Sequence, residues 1–218
     1  MCHKICGKAY SIKKSGVSDE EISGVASIHR QEISQGFLSS LGHAPLSMFF
    51  TFASKSKFGV LHVANSQDEG KPVGFVLGAI DTGKFYKEFL AKKSFRAFFL
   101  LLPKVISFEK LRKIMETLVY PSKNKYWEMP KAELLDIAIT KEHQGVGLAQ
   151  LLFQSFSDRL SEMEIDEFKI TTGESLVRAQ RFYEKLGAQK AGEVEVHKGE
   201  KTYVYRYKIP KLQRWPPQ

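Results

Sequence analysis

Apolar and polar positions follow two periods along this chain, and the switches between them mark out its elements. "KAYSIKK" alternates weakly and predicts a first strand. In "VSDEEISGVASIHRQEI", Ile22, Val25, Ala26 and Ile33 recur at helical spacing. A start signal stands in front of them. Ser18 can cap the helix with Glu21 three residues on, and Val17 and Ile22 flank them as a hydrophobic staple. "SQGFLSSLGHAP" predicts a turn, and "LSMFFTFASKSK" a second helix. "GVLHVANSQDEGKPVGFVLGAID" predicts a hairpin, two β-rich runs joined by the polar turn "SQDEGKP". Residues 82–120 read as helix interrupted near Pro103. "AELLDIAIT" predicts a central strand, followed by a helix from about Gly145 to Met163. "DEFKITT" is another strand, and "ESLVRAQRFYEKLG" a helix stopped by Gly187 as its C′ glycine. "AQKAGEVEVHKGEKTYVYRYKI" closes the chain as a hairpin around "HKGEK".

That order is mixed α/β and lacks the steady βαβα alternation of a doubly wound sheet. With no internal repeat, no low-complexity linker and no visible boundary, one domain over 1–218 is expected, carrying a helical insert at about 82–130. The longest apolar run, Phe95 to Pro103, falls far short of the roughly 18 to 20 residues that span a bilayer. "MCHKICGKAYSIKKSG" has no apolar signal core, so a cytoplasmic protein is expected. Cys2, Cys6 and His3 offer two sulfurs and one imidazole, too few for a closed zinc site, and no metal is expected. The net charge of +9 is unevenly spread, with residues 84–113 strongly basic. Such charge suits nucleic acid, an anionic membrane face or an anionic small molecule. No motif with interleaved aromatics points to RNA, and nucleic acid is not expected.

The loop between "LLDIAIT" and its helix carries the chemistry. A P-loop needs a lysine after its glycines, and none follows here. A dinucleotide fingerprint fails because Gln150 stands at its third glycine and "KEHQ" precedes its first. The pattern Q/R-x-x-G-x-G/A fits at every specified position of Gln144, Gly145, Val146, Gly147, Leu148 and Ala149. Such a loop presents free N–H groups and the positive end of a helix dipole to an anion. The ordinary alternative is that Gly145 and Gly147 only shape a turn.

Around that loop the chain resembles the GNAT superfamily of acyl-CoA N-acyltransferases, in the form of a bacterial-type member with a basic helical insert. "AELLDIAITKEHQGVGLAQLLFQSF" is similar to its acetyl-CoA-binding strand, loop and helix, and "AQRFYEKLGAQ" to its characteristic helix end. The resemblance covers most of the chain and fails only in the insert. It implies a GNAT fold, a mixed and centrally splayed sheet flanked by helices. Acetyl-CoA would enter the splay as co-substrate, its pantetheine arm along Ile137, Ala138 and Ile139 and its pyrophosphate on the N–H groups of Gln144 to Ala149. Tyr183 stands where the family has a tyrosine. Many members also carry an asparagine where this chain has Leu176, beside Ser175.

Thioester aminolysis needs a neutral amine, a stabilised oxyanion and a proton for the departing sulfur. A backbone N–H near Ile137 would hold the oxyanion, and Tyr183 would give the proton; the ordinary alternative for Tyr183 is a core aromatic beside Phe182. Protein-acetylating members hold a glutamate base eleven residues before the loop glutamine, which is Glu133 here. Strand alternation puts Asp136 on the opposite face unless a bulge intervenes. His29 and His143 read as ordinary. The acceptor, an amino sugar or other small-molecule amine in preference to a protein lysine, should lie against Phe37 and Leu38. The rival is a non-catalytic module that recruits an anionic partner through the insert. The insert's phenylalanines suit a lid or a homodimer surface better than a membrane face.

Overall fold

The computed structural model describes residues 2–5, 7–33, 42–91, 129–197 and 200–210. In chain order the elements are β1 (Cys2–Ile5), β2 (Lys8–Lys13), α1 (Asp19–Glu32), α2 (His43–Lys55), β3 (Gly59–Ser66) and β4 (Lys71–Ala79). They continue with α3 (Thr82–Ala91), β5 (Glu133–Ile139), a 3₁₀ turn (Lys141–His143), α4 (Leu148–Glu162), β6 (Glu167–Gly173) and α5 (Val177–Lys185). β7 (Gln189–His197) and β8 (Glu200–Lys208) close the order. Strand β1 is not expected from the sequence, because four residues are too short for a period to show. The helix after the glycine loop begins at Leu148 instead of Gly145. Of the predicted insert, α3 is helical, and residues 92–128 lie outside the described residues.

All eight strands join one sheet, ordered β1-β2-β3-β4-β5-β6-β8-β7. Every ladder is antiparallel except β5 with β6. That one parallel ladder holds only Glu133 opposite Lys169 and Leu134 opposite Ile170. Beyond Leu134 the two strands part, so the sheet is splayed at its centre.

Helices cover both faces. One apolar cluster joins α1, α2 and α3 to one face through Phe49, Phe50, Phe75 and Phe85; the other joins α4 and α5 to the opposite face through Leu152, Phe153, Phe156 and Phe168. The capping box at Ser18 is formed, with Glu21 N–H donating to Ser18 Oγ at 3.2 Å and Ser18 N–H to Glu21 Oε2 at 2.8 Å. Glu21 also receives Lys13 Nζ at 2.7 Å and Asn65 Nδ2 at 3.0 Å, which fixes α1 onto β2 and β3. Gly187 takes up its C′ position with φ +96°.

Gly78 lets α4 lie close to the sheet. A Cβ there would come within 2.3 Å of the Phe156 ring and 2.7 Å of the Glu133 carbonyl oxygen. Backbone on one side and a packed ring on the other leave little room to yield. Gly78→Ala is therefore expected to cost about 2–4 kcal/mol, at the upper end of over-packing effects. Urea unfolding followed by circular dichroism checks it, and Phe156→Leu in the same chain should recover part of the loss.

Candidate active site

Between β5 and α4 the backbone makes a tight loop with two left-handed glycines, Gly145 at φ +79° and Gly147 at φ +92°. A side chain at either position would strain this path, which accounts for glycine at both. Gly147 stands at the N-cap of α4 without a side-chain cap. Among the described residues, the N–H groups from Gly145 through Gln150 have no hydrogen-bond partner; the first to find one is Leu151, on the Gly147 carbonyl at 3.1 Å. No acidic residue occupies the first turn of α4. A row of free donors at a helix N-terminus, open to solvent, favours a phosphate.

Side chains hold the loop in this shape. Gln144 Nε2 donates to the Ile139 carbonyl at 2.8 Å and to Glu32 Oε2 at 3.1 Å, tying the loop to the end of β5 and to α1. His143 is buried. Its Nε2 lies 2.7 Å from Glu69 Oε1 and its Nδ1 2.9 Å from the Tyr10 hydroxyl. The tautomer protonated at Nε2 satisfies both contacts, donating to Glu69 and accepting from Tyr10. Read from the sequence as ordinary, His143 anchors the loop to β2 and to the β3–β4 turn.

The splay exposes one edge of β5. Thr140 N–H bonds to the Val73 carbonyl of β4 at 2.9 Å. Antiparallel ladders alternate. Asp136 and Ala138 therefore turn their backbone groups to β4, and Ile137 and Ile139 turn theirs to the open edge. The Ile139 carbonyl is taken by Gln144, leaving the Ile137 N–H and C=O without a partner among the described residues, beside the gap.

A bulge then decides where the carboxylates go. Between Leu77 and Gly78 the β4–β5 register slips by one, pairing Leu77 with Asp136 and Gly78 with Leu134. Leu135 is the extra residue. Its neighbour Leu134 packs under α4, whereas Leu135 packs under α1 and α2. Glu133 and Asp136 consequently share the α1–α2 face, where strict alternation would separate them.

Their surroundings differ. Glu133, 5% exposed, accepts from Thr171 Oγ1 at 2.7 Å and Thr82 Oγ1 at 3.0 Å, with Lys169 Nζ at 3.5 Å. No hydrogen bond from a described residue reaches Asp136; His29 Nε2 stands at 3.8 Å, beyond hydrogen-bond reach. Burial, and then the charge of Glu133, raise the Asp136 carboxyl to about 7. His29, enclosed by Phe50 and Phe75, is driven down to about 4 by burial and stays neutral at physiological pH.

Tyr183 approaches from α5. It is buried beside Phe153 and Phe182, and its hydroxyl has no hydrogen-bond partner among the described residues. Burial, with a further contribution from Asp136, holds that hydroxyl well above the usual phenol range, so it keeps its proton. Leu176, at the N-cap of α5, is 45% exposed and neighbours Val177 at 48%. Phe37 and Leu38, predicted to line the acceptor side, lie outside the described residues.

This combination of splayed sheet, glycine loop and open strand edge agrees with what the comparisons find. A model of the acetyltransferase (GNAT) family matches residues 29–188, more than half of the chain, and the chain belongs to that family. Solved structures agree on the fold. SsHAT superposes with a TM-score of 0.66 at 18% identity, over 92% of this chain and 98% of that one. An N-acetyltransferase from Staphylococcus aureus gives 0.58 at 10% identity, over 92% and 98%. The ribosomal-protein-S18-alanine N-acetyltransferase from Escherichia coli gives 0.54 at 12% identity, over 96% and 99%. No curated protein sequence matches significantly. Among the described residues, no helix is long and apolar enough to cross a membrane, and no cluster of three or more His, Cys, Asp or Glu is placed to hold a metal.

Proposed function

We propose that this protein transfers the acetyl group of acetyl-CoA to a primary amine, with a small molecule such as an amino sugar preferred over a protein lysine as acceptor. The observation that carries the reading is the row of unpartnered N–H groups from Gly145 to Gln150, set beside the open edge of β5. A diphosphate needs the first feature, and a pantetheine amide needs the second. The residues therefore fit the group. Gln144 to Ala149 would cradle the pyrophosphate, and the free N–H and C=O of Ile137 would pair with the arm; Ala138 spends its backbone on β4. The exposed Leu176 and Val177, at the start of α5, would offer apolar cover to the arm.

Acetyl-CoA supplies an activated thioester carbonyl. The Ile137 N–H, on the open edge, would receive the charge that develops on its oxygen, and Tyr183 would give its retained proton to the departing sulfur. The acceptor enters from the α1–α2 side, where Asp136 and Glu133 face.

A thiol-release assay with acetyl-CoA tests this over glucosamine, spermidine, lysine, a peptide with a free N-terminus and a purified lysine-rich protein. Amine-dependent release of coenzyme A, highest with a small amine, is the expected result. Acetyl-CoA binding without turnover of any amine, joined to salt-sensitive retention of polyanions, would favour a recruiting module instead.

A further inference from the structure

This inference rests on the acetyltransferase reading and goes on to one of its residues. We propose that Asp136, and not Glu133, is the general base that takes the proton from the acceptor's ammonium group.

Glu133 stands at the position where protein-acetylating relatives hold their base, yet its carboxylate is committed. Both oxygens are occupied, Oε1 by Thr171 and Oε2 by Thr82 with Lys169 nearby. Lys169 is itself buried and donates to the Pro130 carbonyl at 3.2 Å. A carboxylate gripped at each oxygen by a hydroxyl donor is held in one orientation, away from an incoming amine. Its contacts join β5, β6 and α3 at the root of the splay. That is a structural assignment.

Asp136 has the opposite character. Its side chain is 18% exposed, against 6% for that of Glu133. No hydrogen bond from a described residue satisfies either oxygen. The Leu135 bulge brings it to the acceptor face, directly before Ile137, whose open N–H marks where the thioester carbonyl would lie. The titratable groups that face it among the described residues are His29 from α1, Tyr86 from α3, Glu133 along β5 and Tyr183 from α5, while Lys169 of β6 lies against Glu133. His29 is neutral and Lys169 is engaged by Glu133, so among the described residues no cation pairs with Asp136. A carboxylate in such a place gains by accepting a proton.

The proton balance closes on these residues. Asp136 takes one proton from R–NH₃⁺, and the lone pair of the resulting R–NH₂ forms the C–N bond. The carbonyl oxygen gathers charge at the Ile137 N–H, then re-forms its double bond as the C–S bond breaks. Sulfur takes the Tyr183 proton, and the tyrosinate recovers one from the nitrogen. The products are the acetamide, the thiol and one proton on Asp136, which passes to solvent. The charge on Asp136 is one of the causes that hold Tyr183 high, so protonating Asp136 makes Tyr183 a better donor when sulfur needs it.

The test uses the full chain, acetyl-CoA and whichever amine of the panel turns over fastest. Wild-type kcat/KM should rise with pH along a limb centred near 7. Asp136→Asn should lower kcat at pH 7 about 10²-fold or more and abolish that limb, with acetyl-CoA affinity by calorimetry unchanged. Glu133→Gln should lower Tm and keep the limb. A second readout needs no amine. The folded carboxyl value is raised, so its stabilising contribution is complete below about pH 4 and lost as pH rises towards 7. Asp136→Asn should accordingly raise Tm at pH 8 relative to wild type and not at pH 4. Persistence of the limb in Asp136→Asn, or its loss in Glu133→Gln alone, overturns the assignment. A wild-type chain that binds no acetyl-CoA refutes the acetyltransferase reading itself.

Discussion

Gly147→Glu should remove at least about 10²-fold of the affinity for acetyl-CoA while the protein stays folded. A Cβ at Gly147 would meet nothing within 4 Å, so the added bulk does not touch the core. The backbone at φ +92° charges a non-glycine residue about 1–2 kcal/mol, a cost the fold can absorb. The new carboxylate would sit at the positive end of α4 and compete for the N–H groups from Gly145 to Gln150, as an internal anion in place of the phosphates. Loss of 10²-fold corresponds to about 2.7 kcal/mol. Calorimetry with acetyl-CoA measures it, and a thermal melt confirms the fold. Unchanged affinity in the folded variant would refute the loop as the cofactor site.

Tyr183→Phe should lower kcat by about 10²- to 10⁴-fold with little change in acetyl-CoA affinity. The hydroxyl of this buried side chain has no partner among the described residues, so its removal breaks no hydrogen bond with them, and stability should hold or rise slightly. That separates the two roles open to this side chain. A core aromatic would lose nothing when its oxygen goes, and turnover would persist. A proton donor loses rate alone. Single-turnover kinetics with the fastest amine, where chemistry limits, decide between them.

Elements whose signals are local were legible in the sequence. The capping box at Ser18 and Glu21, the hairpin over 59–79, the stop at Gly187 and the loop pattern from Gln144 to Ala149 lie within a few residues of their causes. The candidate site needed partners that the sequence does not bring together. Tyr10 reaches His143 from 133 residues away in the chain, and Glu133 meets Thr82 and Thr171 from separate elements. The bulge at Leu135 arises from pairing with β4 at Gly78, and nothing within "ELLDIAI" announces it. Period-two reasoning along the strand therefore could not give Asp136 its face. Strand β1 was missed for another reason: its partner, β2, defines it more than its own four residues do.

The tethers of the glycine loop also bear on how binding begins. Fixing one residue's backbone costs about 1–2 kcal/mol of conformational entropy, and a slack loop would lose that freedom, residue by residue, on meeting its ligand. Here Gln144 bonds to Ile139 and Glu32, and His143 to Tyr10 and Glu69, before any ligand arrives. The ordering is settled when the chain folds. Encounter with a diphosphate then resembles a key meeting a rigid lock, with its rate set by diffusion and charge, and weakening any one tether should surface first as a slower, more temperature-sensitive association.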